Sequence, residues 1–138
     1  MKILVTAIGS ISAPFVIETI KNMNIEVIGV DIYPKEWVAT SKEVGFFHQI
    51  PRVSQSEAYQ NEILKLCNFY KVDMIIPLTD VEVDHYRNRV EEFLNKGVIV
   101  TISSENVINT LRNKLKVHET FLNSKIRVIP TYRQKEYM

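Results

Sequence analysis

One cysteine, four glycines and almost no net charge set the first limits on this chain of 138 residues. The lone Cys67 allows no internal disulfide and no metal cluster built on thiolates. Its register with Ile63, Leu66 and Tyr70 places it on the inward face of a helix, as a small hydrophobe. The histidines His48, His85 and His118 share no ligand spacing, so no metal site is expected. Lys and Arg number 17 against 16 Asp and Glu, a net charge of +1. That balance argues against a nucleic-acid or anionic-membrane partner recognised by charge alone. No apolar run approaches the roughly 20 residues of a membrane span. A single Lys precedes Ile3, Glu18 and Asp31 arrive early, and no cleavage pattern comes after them, so the N-terminus reads as a mature cytoplasmic start. Repeats and low-complexity segments are absent, and the length suits one domain with a core that needs no staples.

What the chain does contain is alternation of strand and helix signals. Ile3-Leu4-Val5-Thr6 is too short and too branched for a helix and suits a strand buried on both faces. A small-residue loop, Gly9-Ser10-Ile11-Ser12, leads to a helix with Pro14 in its first turn and Ser12 placed to cap it. That helix is expected to turn Phe15, Val16, Ile20 and Met23 inward. Ile25 to Ile32 reads as a second strand, completing a βαβ unit. Tyr33 to Val44 loses its period, with a helical turn expected around Glu36 to Thr40. Phe46 to Ile50 is a short third strand that Pro51 ends. Glu57 to Tyr70 repeats Tyr59, Ile63, Leu66 and Tyr70 at helical spacing, capped by Ser54 or Ser56. Val72 to Ile76 is a fourth strand, followed by one helix from Val83 to Asn95 that Gly97 stops. Val98 to Ile102 is a fifth strand. Ser103 and Ser104 open a short helix using Val107, Ile108 and Leu111. A last helix, Asn113 to Asn123, precedes an extended tail at Ile126 to Thr131.

This order predicts an α/β fold, an open doubly wound parallel sheet, Rossmann-like, with five strands in the order 3-2-1-4-5 and helices on both faces. Ligands in such sheets bind beyond the carboxyl ends, where the strand order reverses. That crevice gathers Gly9 to Ser12, Asp31, and Thr79 to Glu82. Three readings compete there. The dinucleotide fingerprint G-x-G-x-x-G aligns on Ala7, Gly9 and Ser12, so only its middle glycine is present, which disfavours a nicotinamide reductase. Asp80 and Glu82, with Asp84 beside them, either orient a substrate amine or hydroxyl or merely complement a helix dipole. No Walker loop and no G-x-S-x-G elbow appear. The residues alone describe a binding domain without an evident engine, such as a stand-alone Rossmann-type regulatory domain for a small metabolite or nucleotide.

Taken together, several segments resemble one family. They are Ile3 to Thr6 with its loop, Val27 to Asp31, Asp73 through Glu82, and Asn113-Lys114 through Phe121-Leu122 to Thr131. They look like the N-terminal domain that precedes the ATP-grasp fold in carboxylate–amine ligases, similar to the large subunit of carbamoyl phosphate synthetase. The resemblance implies a longer enzyme in which ATP and magnesium form an acyl phosphate that an amine attacks. In that family the lysine matching Lys114 holds the nucleotide phosphates, and a compact cation suits that task. His118, where the synthetase has an arginine, is a second ATP-binding candidate. The loops after the first and fourth strands face the carboxylate or amine substrate, which gives roles to Gly9, Ser10, Ser12, Asp31, Asp80 and Glu82. Asn113 replaces the family's usual Asp, and Ser124-Lys125 stands where a glycine is common.

The resemblance divides the chain into a Rossmann-like domain, 1–112, and a segment, 113–138, leading toward an ATP-grasp domain. That domain would be the principal partner, with room left for a homodimer. No catalytic residue is expected within 1–138, and neither ATP nor magnesium is expected to bind it tightly. The chain is read as a fragment that folds alone without hydrolysing ATP. Trp37, in its loop, marks either a contact with another domain or subunit or an ordinary loop anchor.

Overall fold

The computed structural model describes residues 1–132, so the end of the expected 113–138 segment lies outside the described residues. The chain forms two compact units, Met1–Ile102 and Ser103–Met138. In the first, β1 (Lys2–Val5), β2 (Glu26–Asp31), β3 (Phe46–Gln49), β4 (Met74–Ile76) and β5 (Ile99–Val100) make one sheet. Every pairing is parallel and the order is β3-β2-β1-β4-β5, as the alternation predicts. β1 is central, with Leu4 between Ile28 of β2 and Ile75 of β4.

Alternate side chains of each strand feed two cores, because successive residues of a strand point to opposite faces. On one face Leu4, Ile28, Val30 and Ile75 pack with Tyr59, Ile63 and Leu66 of α2 (Ser56–Tyr70). Tyr86 of α3 (Asp80–Tyr86) and Phe93 of α4 (Val90–Leu94) complete that layer. On the other face Ile3, Val5 and Val27 meet Ile17 and Ile20 of α1 (Ala13–Asn22). Cys67 lies in the first core, and burial pushes its thiol up to about 12, which leaves it inert at neutral pH.

The helices depart from the sequence expectations in instructive ways. α1 buries Ala13, Ile17 and Ile20, whereas Phe15 is 71% and Met23 64% exposed. The small Ala13 starts the inward stripe and lets the helix approach the sheet; the bulkier residues face outward. Ser12 occupies the cap position but makes no capping bond, its hydroxyl lying 3.3 Å from that of Ser10. Gln55, not Ser54 or Ser56, precedes α2, also without a side-chain cap. The helix expected over Val83 to Asn95 is two. Arg89 N–H bonds to Tyr86 O at 2.7 Å, and its guanidinium takes the carbonyl of His85 at 2.6 Å, so the backbone ladder is interrupted there. Leu94 consequently faces solvent. Gly97, at φ +77°, ends α4 as the sequence predicts. The expected turn after Tyr33 consists of two short 3₁₀ turns, Lys35–Trp37 and Ala39–Lys42.

The second unit contains α5 (Glu105–Leu111) and α6 (Lys114–Asn123). Asn113 caps α6 by accepting from the N–H groups of Leu115 and Lys116, at 3.1 and 3.2 Å. After Lys125, at φ +59°, residues 126–132 carry no helix or strand.

Gly29 of β2 is the tightest point between sheet and loops. A Cβ there would sit 2.6 Å from Ile8 Cδ1 and 3.0 Å from both Val44 methyls. Ile8 is fully buried, so the intruding carbon has no open space to displace it into. Gly29→Ala is expected to cost about 1–3 kcal/mol through overpacking, read as a lower urea midpoint with an unchanged slope.

Candidate functional site

The carboxyl ends of β1, β2, β3 and β4 open on one cleft of about 630 Å³. Its floor comes from Ala7, Gly9 and Ser10 after β1, and from Asp31, Ile32 and Tyr33 at the end of β2. Ile50, Arg52, Val53 and Ser54 come after β3, while Thr79, Val81 and Glu82 come after β4. This is the switch point the topology predicts. Of the residues singled out from sequence, Gly9, Ser10, Asp31 and Glu82 share the cleft. Ser12 and Asp80 are exposed and do not line it.

Asp31 joins two of the walls. It is 4% exposed; Gly9 N–H donates to its Oδ2 at 2.7 Å and Tyr33 N–H to its Oδ1 at 3.0 Å. A Cβ on Gly9 would lie 3.0 Å from Oδ2, closer than most real contacts. The glycine therefore allows the carboxylate to approach the loop. Ala7 takes the left-handed conformation, φ +48°, that a first fingerprint glycine would take without strain. The loop makes its turn all the same, held by Ser10 N–H on Ala7 O at 2.9 Å and by Thr40 Oγ1 on Ile8 O.

Glu82 is 4% exposed and turns back on its own helix start. Its Oε2 accepts from Thr79 N–H at 3.2 Å and Thr79 Oγ1 at 2.7 Å, a capping-box arrangement. Its Oε1 accepts from Tyr59 Oη at 3.1 Å, and Tyr59 Oη lies 3.2 Å from Tyr86 Oη. The buried Thr6 hydroxyl stands beside this carboxyl outside hydrogen-bond geometry. Burial raises the Glu82 carboxyl above its ordinary value, against the lowering effect of those hydrogen bonds. Burial likewise holds the Tyr59 and Tyr86 phenols up. Next to them His85 Nε2 bonds Gln60 Oε1 at 2.8 Å, and burial, with Arg89 nearby, lowers its pKa.

Two features of the site went unread in the sequence. Arg52 is a basic side chain in the cleft wall, its guanidinium 6.0 Å from the centre of the Tyr33 ring. Pro51, which ends β3, was the available signal: all strands being parallel, the loop after β3 shares an edge with Gly9 and Thr79. The capping box was legible as Thr79-x-x-Glu82.

Lys114 and His118 stand one turn apart on α6, in the second unit. Lys114 is exposed; His118 Nδ1 donates to Ile129 O at 3.1 Å, fastening the tail to the helix. Among the described residues no group of three or more His, Cys, Asp or Glu could hold a metal ion, and no helix is long and apolar enough to cross a membrane.

Sheet order and cleft define an open doubly wound α/β domain of Rossmann type. Residues 3–101 match the family described as PylC-like, N-terminal domain, and the chain belongs to that family. It is thus an N-terminal domain of the ATP-grasp carboxylate–amine ligase class that the sequence resembles. No match is found among curated proteins. Several solved structures share the fold. One is the biotin carboxylase domain of Hydrogenobacter thermophilus 2-oxoglutarate carboxylase, solved with MgADP and bicarbonate. It is 20% identical, TM-score 0.62, over 94% of this chain and 28% of that one. Rhizobium etli pyruvate carboxylase is 16% identical, TM-score 0.61, over 94% of this chain and 13% of its own. K. lactis urea amidolyase is 18% identical, TM-score 0.61, over 94% and 8%. At such identities the likeness establishes the fold, and the chain spans less than a third of each of these proteins.

Two outcomes test the site's physics. Asp31→Ala removes the acceptor of two N–H groups and is expected to cost about 2–3 kcal/mol, with faster amide exchange at Gly9 and Tyr33. For Glu82 the folded state binds its proton more tightly than the unfolded chain does. Stability therefore falls as pH rises from the ordinary value of 4.5 toward the raised one. Glu82→Gln keeps the bonds to Thr79 and is expected to flatten that part of the stability–pH curve in urea titrations.

Proposed function

We propose that this chain is the substrate-presenting N-terminal domain of an ATP-dependent ligase, and that the cleft beyond β1 and β4 receives its carboxylate or amine substrate. The observation that carries the reading is the cleft itself, built by the family's loops at the edge where doubly wound sheets hold ligands. Gly9 and Ser10 offer backbone close to the ligand, and Asp31 fixes that loop. Glu82 shapes the wall from Thr79 to Val81. Ser12 and Asp80 lie outside the cleft wall and contribute from the loop rims, if a second domain closes on them.

ATP with magnesium would supply the phosphoryl group that activates the carboxylate. The chain's own share is Lys114, an exposed cation at the start of α6 that would neutralise phosphate charge. His118 keeps its Nε2 for the same ligand, its Nδ1 being engaged with Ile129 O. In this reading the magnesium ligands would come from an ATP-grasp domain, as the resemblance implies. The likeness to the carbamoyl phosphate synthetase large subunit that supports this reading runs over nearly the whole chain and is most specific from Asn113 to Thr131.

The test uses the gene product that carries this chain. ADP release is expected to require both a carboxylate and an amine, and Lys114→Ala is expected to raise KM for ATP about tenfold or more. An unchanged KM would remove the lysine from the site. Release independent of any carboxylate would contradict the ligase reading.

A further inference from the structure

We infer that the cleft selects an aliphatic carboxylate, with Arg52 receiving the carboxylate and the apolar wall receiving the body. This rests on the cleft being the substrate site and adds the class of substrate and the residue that reads it.

The charges in the wall decide the sign. Both Asp31 oxygens are engaged by N–H groups of the protein itself, at 2.7 and 3.0 Å. Both Glu82 oxygens are engaged by Thr79 and Tyr59. Burial further favours the neutral form of Glu82. Asp31 keeps its charge but directs both oxygens at the protein's own N–H groups, and Glu82 is buried and capped, so Arg52 is the charged group of the wall whose donors are left for a ligand. Arg52 makes no ion pair among the described residues; its charged contact is the face of Tyr33. A guanidinium presents a planar fork of donors that matches a carboxylate, and an aromatic face beneath it leaves that fork open.

The rest of the wall defines the body. Ile32, Ile50, Val53 and Val81 are the hydrocarbon part of the lining, and Tyr33 adds an aromatic flank. Tyr33 is itself held by its N–H on Asp31. Asp31 thus ties the Gly9 loop to the backbone of Tyr33, the residue whose ring Arg52 lies over.

The experiment monitors amide ¹H–¹⁵N signals of the 138-residue chain during titration with hexanoate, acetate and hexylamine. Hexanoate is expected to shift Gly9, Ser10, Arg52 and Val53. It should bind at least about tenfold more tightly than acetate, because four more methylenes meet the apolar wall. Arg52→Gln is expected to weaken hexanoate about tenfold or more, with Arg52→Lys recovering part of the loss. Spectra of both variants otherwise matching the parent exclude misfolding as the cause. Hexylamine shifting the cleft residues at lower concentration than hexanoate would overturn the carboxylate assignment and leave the cleft as a substrate site. Hexanoate binding unchanged in Arg52→Gln would overturn the role of Arg52. No response of any cleft residue to any of the three would overturn both the assignment and the site.

Discussion

The Asp31 carboxylate, sunk to 4% exposure at the end of β2, is the contact on which the cleft depends. It holds the loop after β1 through Gly9 and the loop after β2 through Tyr33. Each bond is charge-assisted and shielded from water, so each is stronger than its surface equivalent. Two loops, each with local bonds of its own, are therefore tied to each other through one side chain. The same acid in a dinucleotide fold would face a ribose; here the loop it binds is the protein's own.

That arrangement stands on a sheet whose every pairing is parallel, so that all five carboxyl ends open on one edge. β1 is the element that makes this possible. Leu4 lies wholly within the α2–α4 core while Ile3 and Val5 serve the α1 core, so a one-residue slip would exchange the two faces. Gly29, opposite Val5, gives up a side chain to let Ile8 and Val44 close over the sheet. Packing on the α1 side and the geometry of the Gly9 loop are thus linked through Ile8, the immediate neighbour of Ala7.

The strand order and the cleft's location were legible in the sequence because both derive from alternation, which is a property of hydrophobic period. Side-chain orientation was less so. Phe15 and Met23 are apolar enough to suggest an inward face, yet Ala13 and Ile17 occupy it, since the closest approach of helix to sheet favours the small residue. The break between α3 and α4 depends on Arg89 capturing a carbonyl, a contact with no periodic signature. In the site, Gly9 and Asp31 were visible by spacing, but Arg52 was not, because its role comes from the parallel placement of β3. Ala7 illustrates the opposite case. A missing glycine pointed away from the dinucleotide turn, while the backbone nevertheless bends there at φ +48°.

If these residues serve an ATP-grasp ligase by presenting its substrate, the measurement closest to that claim is the coding DNA downstream of the Met138 codon. The expected result is an open frame for on the order of 150 residues or more, about a further domain, with a glycine-rich loop and a late Glu-x-Asn pair. A stop codon directly after Met138 would contradict the claim, leaving Lys114 with no nucleotide fold to serve and the cleft as the site of a stand-alone binding domain.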